Sequence, residues 1–173
     1  MNIIDSEREF IGLITGLRDM LYRLARSIVL DDQEAEDVVS DIFERAWKMR
    51  DTILASSNPR AYICRMARNV AIDSLRRRKR HNELSVTFDL GAVDVSKRLD
   101  VCDMVEISKQ LIDCLPERQR TVVQLRDVEG YEIGEIAQIL ECEESSVRMN
   151  LSRARRYIRE QLLIYMNYGV ERS

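Results

Sequence analysis

The sequence predicts an all-α protein made of two small helical domains, residues 1–81 and 101–173, joined by a flexible acidic linker over 82–100. Three observations carry that prediction. Only six Gly and two Pro occur in 173 residues, too few turn-formers for a mostly β chain. Apolar residues recur at three- and four-residue steps through most of the chain, the period of a helix with one buried face. From His81 to about Asp100 that period is lost, Gly91 appears, and short apolar residues alternate with acids.

The first helix follows from Phe10, Ile14, Leu17, Leu21, Leu24 and Ile28, which share one face of a segment running to about Leu30. Asp31 or Asp32 can cap a second helix. Its buried stripe is Ala35, Val38, Val39, Ile42, Phe43, Ala46 and Trp47, and Glu34, Glu36 and Asp37 complement its dipole. After a short polar connection, Asn58-Pro59 supplies a cap followed by proline at the first helical position. Ile63, Met66, Ala67, Val70, Ala71 and Leu75 form the apolar face of the helix that follows, which ends in the run Arg76 to Arg80.

Beyond the linker, Val101, Met104, Val105, Ser108, Leu111, Ile112 and Leu115 restart the helical period. Leu115-Pro116-Glu117 opens another helix with Val122, Val123 and Leu125 inside, closed by Gly130. Ile133, Ile136, Ala137, Ile139 and Leu140 make a short amphipathic helix, and residues 141–144 a tight break. Ser145 or Ser146 then caps a final helix whose buried stripe is Val147, Leu151, Ala154 and Ile158. Two amphipathic helices joined by such a break have the layout of a helix-turn-helix.

The formal net charge of −3 by itself disfavours a nucleic-acid partner, but the charge is segregated. Residues 31–44 carry seven acids and no base. Residues 60–80 carry a net +7 and residues 145–159 a net +5, leaving −15 for the rest. The four cysteines, Cys64, Cys102, Cys114 and Cys142, are scattered, and His81 is the lone histidine, so no metal site is expected. The thiols read as small buried apolar groups of a reducing compartment. No signal peptide or membrane-spanning run is found, which places the protein in the cytoplasm. Without a nucleophile motif, a Gly-rich phosphate loop or paired carboxylates in an apolar setting, no enzymatic activity, cofactor or small-molecule substrate is expected.

The last helix exposes Arg148, Met149, Ser152, Arg153, Arg155, Arg156 and Arg159. In a helix-turn-helix, early residues of the second helix reach base edges and later arginines reach phosphates. A merely solvated basic helix is the alternative. In the 60–80 helix, Arg65, Arg68 and Arg76 recur with Asn69 and Asp73 between them, which adds directional hydrogen bonding to a positive surface. The acidic helix has the wrong charge for a duplex and suits either a solvated face or docking on a basic protein partner. An autonomous dimeric helix-turn-helix regulator and a helical protein-interaction adaptor are both compatible with these patterns.

The order of the parts carries a resemblance. Residues 35–47 (AEDVVSDIFERAW), Pro59-Arg60-Ala61-Tyr62-Ile63 with residues 67–77 (ARNVAIDSLRR), and residues 115–120 (LPERQR) with the helix-turn-helix are similar to the extracytoplasmic-function sigma factors of bacterial RNA polymerase. The resemblance covers roughly residues 8–165. It implies a sigma domain 2 over 1–81, a linker over 82–100 that threads toward the polymerase active-site channel, and a sigma domain 4 over 101–173.

The implied partners are core RNA polymerase, promoter DNA and an anti-sigma factor. The acidic helix would dock on the clamp helices of the largest polymerase subunit through Asp37, Val38, Asp41, Phe43 and Trp47. Ser57, Asn58 and Arg60 would lie near a flipped base of the −10 element, with Arg65, Arg68, Asn69, Asp73, Arg76 and Arg77 on bases or backbone. Arg148, Met149, Ser152 and Arg153 would read the −35 element while Ser146, Arg155 and Arg156 hold phosphates. The chain departs from the family pattern at Ser40, where glutamine is common, and at Glu141, a turn position usually glycine. A positive φ at Glu141 would cost about 1 kcal/mol. Met149 and Asn150 replace small or basic residues, and Glu143 and Glu144 bring negative charge near the groove-facing end.

Overall fold

The computed structural model describes residues 3–84 and 104–170, and the described residues are helical with no strand. The linker expectation for 85–100 lies outside the described residues, as does Cys102. Helix α1 (Ile3–Val29) carries the six apolar residues expected of it, Phe10 to Ile28, each at most 4% exposed. Complete burial of such side chains contributes roughly 1.5–3 kcal/mol each. The chain leaves α1 through Leu30, whose φ of 58° lies in the left-handed region. That conformation turns it into α2 (Asp32–Lys48), where the Asp31 carboxylate, rather than that of Asp32, accepts the Glu34 backbone N–H at 2.7 Å.

A short helix α3 (Arg50–Leu54) occupies what reads in sequence as a polar connection, and buries Ile53. Its single apolar anchor is too brief to show a period. Helix α4 (Pro59–Leu84) starts as the Asn58-Pro59 pair predicts, with the Asn58 side-chain oxygen accepting the Ala61 N–H at 3.0 Å. It continues through Leu84, so the expected end of the first domain at residue 81 falls inside a helix. Helical geometry persists there because a run of Arg and Lys, good helix formers, needs no apolar face.

Helices α1, α2 and α4 pack around one another, and Glu34 fixes α2 to α4. Its carboxylate accepts from Ser74 Oγ at 2.8 Å and from Arg78, which also donates to the Val29 carbonyl at 2.9 Å. One member of the terminal basic run is thus an internal strut rather than part of a solvated patch.

The second unit comprises α5 (Met104–Asp113), α6 (Glu117–Val123) with a π-helical turn at Gln124–Val128, α7 (Ile133–Leu140) and α8 (Glu144–Val170). Gly130, at φ 76°, lets the chain reverse so that Tyr131 N–H meets the Leu125 carbonyl at 2.9 Å. Helix α7 opens with the Glu132 N–H donating to the Glu135 carboxylate at 2.9 Å. Glu141 ends it at φ 51°, ψ 51°, the left-handed turn anticipated at that position. Helix α8 begins at Glu144, two or three residues earlier than capping by Ser145 or Ser146 implies. The Glu143 carbonyl accepts from the Ser146 and Val147 N–H groups, so both serines lie inside the first turn.

The two units share one contiguous apolar core, with α1 against α6 and its π-helical turn, and α4 against α7. Arg120 of α6 is 5% exposed and donates to the Asp113 and Leu115 carbonyls, both at 2.8 Å, and across the units to the Ser27 carbonyl. Burial lowers its readiness to hold a proton, and the acids Asp113 and Glu117 oppose that shift. Arg23 of α1 forks onto Glu129 at 2.7 and 2.8 Å, and the Tyr131 hydroxyl lies 3.3 Å from the Cys64 thiol of α4.

Candidate nucleic-acid interface

Two basic helix faces and one acidic face emerge from this scaffold. On α4, the apolar stripe Ile63, Ala67, Val70 and Ala71 is buried, which turns Asn69, Asp73, Arg76 and Arg77 outward. Asp73 lies 3.8 Å from Arg76 one turn on, both exposed. Ser57 and Arg60 are exposed at the start of the helix, and Asn58 is partly buried as its cap.

Arg65 and Arg68 differ from the others. The Arg65 guanidinium sits 5.2 Å over the Tyr62 ring and 3.4 Å from the Glu141 carboxylate of the second unit. Arg68 has its Nε buried without a hydrogen-bond partner among the described residues. An unpartnered buried N–H costs roughly 1–3 kcal/mol.

Between the end of α2 and α4 lies an open pocket of about 280 Å³ lined by Arg45, Met49, Tyr62, Arg65, Met66, Asn69 and Val70. Arg45, Met49, Tyr62 and Met66 were not anticipated as site residues. Tyr62 carried a legible signal: an aromatic three residues before an arginine on a basic helix face offers a stacking surface for a base.

On α8, Val147, Leu151 and Ala154 are buried and Ile158 partly so, as expected. Arg148, Met149, Ser152, Arg153 and Arg156 are exposed, with Met149 at 48%. Ser146 is partly buried, and its carbonyl accepts from the Asn150 side chain at 2.8 Å. Two of the arginines already hold acids: Arg148 meets Glu144 at 2.6 Å, and Arg155 forks onto Asp127 of the π-helical turn. Those bonds hold the Arg155 guanidinium above its ordinary pKa and join α8 to the π-helical turn.

The acidic face of α2 presents Asp37 and Glu44 fully and Asp41 partly, with Glu44 held below the usual carboxylate range by Lys48 one turn on. Two expectations on this helix need correction. Val38 is 2% exposed and belongs to the core, since it sits on the stripe facing α1 and α4. Trp47, expected in the buried stripe, is 44% exposed at the helix end, one edge against Phe10 with ring centroids 6.0 Å apart and the Arg50 guanidinium 5.3 Å over its ring. Phe43 is half-buried.

Among the described residues, no group of three His, Cys, Asp or Glu side chains could hold a metal, and no helix is long and apolar enough to cross a membrane. The cysteines do not behave alike. Cys64 is buried, Cys142 partly buried and Cys114 exposed, so the expectation of uniformly buried thiols fails at Cys114, which lies just past the end of α5.

Comparison with known proteins bears on these faces. Residues 13–81 match the sigma-70 region 2 family model and residues 108–158 match sigma-70 region 4. The ECF RNA polymerase sigma factor SigL of Mycobacterium tuberculosis is 31% identical over 88% of this chain and 86% of its own length. The chain belongs to the extracytoplasmic-function sigma factors. SigW of Bacillus subtilis, another member, is 26% identical over 88% of each chain. The fold is that of the sigma factor RpoE of Bartonella quintana, solved in complex with the anti-sigma factor NepR. That structure superposes with a TM-score of 0.72 at 24% identity, covering 94% of this chain and 99% of that one. In this sigma factor the region 2 match includes the acidic helix and the basic face of α4, and the region 4 match takes in α6, α7 and α8 as far as Ile158.

Proposed function

We propose that the protein joins bacterial core RNA polymerase and directs transcription initiation by reading a −10 element with α4 and a −35 element with α8. The observation that carries this is the pairing of two outward basic helices with an outward acidic helix on one helical scaffold. Asn69, Asp73, Arg76 and Arg77 supply directional and ionic contacts on α4, and the pocket beside Tyr62 offers stacking and an amide to an unstacked base. Ser57, Asn58 and Arg60 flank its approach. On α8, Arg148, Met149, Ser152 and Arg153 face base edges, and Arg156 faces backbone. Asp37, Asp41, Phe43 and Trp47 form the polymerase-docking surface.

The proposed domains correspond to the described units 3–84 and 104–170. A binding role without catalysis, acting in the cytoplasm, is part of this proposal, and the family relation supports it. The RpoE structure was solved with the anti-sigma factor NepR, and we assign this chain a partner of the same kind. Purified protein added to its native core enzyme is expected to start transcription at a restricted promoter set. Failure to initiate at any promoter in a genomic template library would overturn the proposal.

A further inference from the structure

Trp47 is the one tryptophan of the chain and stands 44% exposed on the last turn of α2, three residues beyond Glu44 of the acidic face. An indole at a helix end has several rotamers open to it, and a partner that needs one of them loses affinity in ordering it. Two other elements remove that freedom. From α1, buried Phe10 packs its ring against the indole, centroids 6.0 Å apart and planes at 63°. From α3, the Arg50 guanidinium lies over the indole 5.3 Å from the ring centroid and donates to the Trp47 carbonyl at 3.4 Å.

Arg50 is in turn fixed by the fold. It opens α3, whose one buried side chain is Ile53, fully enclosed in the core, and that anchor sets where the first residue of the helix stands. Asp51, 3.8 Å from the guanidinium and 84% exposed, is a solvated partner that contributes little to holding it. We infer that Arg50 is a positioning residue: it holds the Trp47 indole in the orientation that core polymerase meets, and acts through the ring rather than by touching the partner. Helix α3 then has a use besides connecting α2 to α4. The inference rests on the reading of Trp47 as part of the polymerase-docking surface.

The single tryptophan makes its own orientation measurable in the free protein. Arg50→Ala is expected to raise acrylamide quenching of Trp47 fluorescence and to lower its anisotropy, with helical circular dichroism retained. In competition for core polymerase, Trp47→Ala is expected to weaken binding roughly thirtyfold, as loss of an anchoring aromatic does. Arg50→Ala should weaken it roughly fivefold. The double variant should bind no more weakly than Trp47→Ala alone, because without the indole Arg50 has nothing to orient. Arg50→Lys keeps a cation for the ring and should recover most of the affinity and of the protection from quencher.

Additive losses in the double variant would overturn the inference, since Arg50 would then act independently of the indole. Unchanged quenching and anisotropy in Arg50→Ala would overturn it as well. So would a loss of helicity shared by Arg50→Ala and Arg50→Lys, which would make the residue a requirement of folding. Wild-type affinity for core polymerase in Trp47→Ala removes Trp47 from the docking surface and this inference with it, while initiation by the unaltered protein leaves the proposed function standing.

Discussion

The Glu141 carboxylate lies 3.4 Å from Arg65, reaching from the turn of the helix-turn-helix to the basic helix of the other unit, on a backbone at φ 51° and ψ 51°. The two halves of the contact have opposite signs in energy. The left-handed backbone costs a side-chain-bearing residue about 1 kcal/mol relative to glycine. The ion pair is exposed on both sides and contributes at most about 1 kcal/mol. Glu141→Ala, which keeps the strain and loses the pair, should therefore be less stable than Glu141→Gly by about 1 kcal/mol. Urea denaturation of both variants measures that difference, and equal midpoints would contradict it.

Arg120 should be among the least replaceable residues of α6. Arg120→Leu removes the donor to three carbonyl groups, those of Ser27, Asp113 and Leu115, in a site that water does not reach. A loss of about 2–4 kcal/mol in unfolding free energy is expected. A shift within about 0.5 kcal/mol of wild type would mean that the carbonyls find other partners.

The arginines of α8 should separate into distinct classes. Arg153→Ala is expected to cost about 1–3 kcal/mol in holoenzyme binding and to relax preference at one position of the −35 element. Arg156→Ala should weaken all sequences alike. Arg155→Ala should lower protein stability by undoing the bond to Asp127, with the smallest effect on promoter choice. Competition among randomised −35 elements, combined with thermal melting of each variant, distinguishes the three.

Cys64 gives a pH signature. Burial pushes its thiol up to about 11 from its ordinary 9.0, with the Tyr131 hydroxyl pulling weakly the other way. The folded chain keeps the proton where the unfolded chain has released it. The stability tied to this group is thus complete below pH 9 and falls as pH rises toward 11. Stability curves across that range should decline more steeply for wild type than for Cys64→Ala, whatever the offset between them. In the same protein, iodoacetamide at pH 8 should label Cys114 well before Cys64.

Local signals in the chain were readable and distant ones were not. The cap at Asp31 or Asp32, the Asn58-Pro59 start and the buried stripe of α8 depend on residues within a few positions of one another, whereas the left-handed turn at Glu141 follows from the family resemblance alone. The pair Arg155–Asp127 joins residues 28 apart, and Arg23–Glu129 joins residues 106 apart. No periodicity reports such contacts, so Arg155 read as a phosphate ligand and the packing of the two units was invisible. Trp47 failed for a different reason: it continues the apolar stripe of α2 but lies on the last turn, where the neighbouring helices no longer cover it. Val38 showed the converse, an apolar residue assigned to docking that the core claims first.

Internal pairing on α8 also limits how ions govern its hold on DNA. Of its five arginines between residues 145 and 159, Arg148 and Arg155 already have carboxylate counterions within the protein, leaving Arg153, Arg156 and Arg159 without an acid partner among the described residues. Only cations displaced by those three enter the solution when the helix meets a duplex. The logarithm of its binding constant should fall with the logarithm of salt at a slope no steeper than roughly −2.7, below the roughly −4.5 that five phosphate contacts would give. A promoter subunit built this way loses less of its grip on the −35 element as ionic strength rises, because fewer condensed cations leave the duplex when it binds.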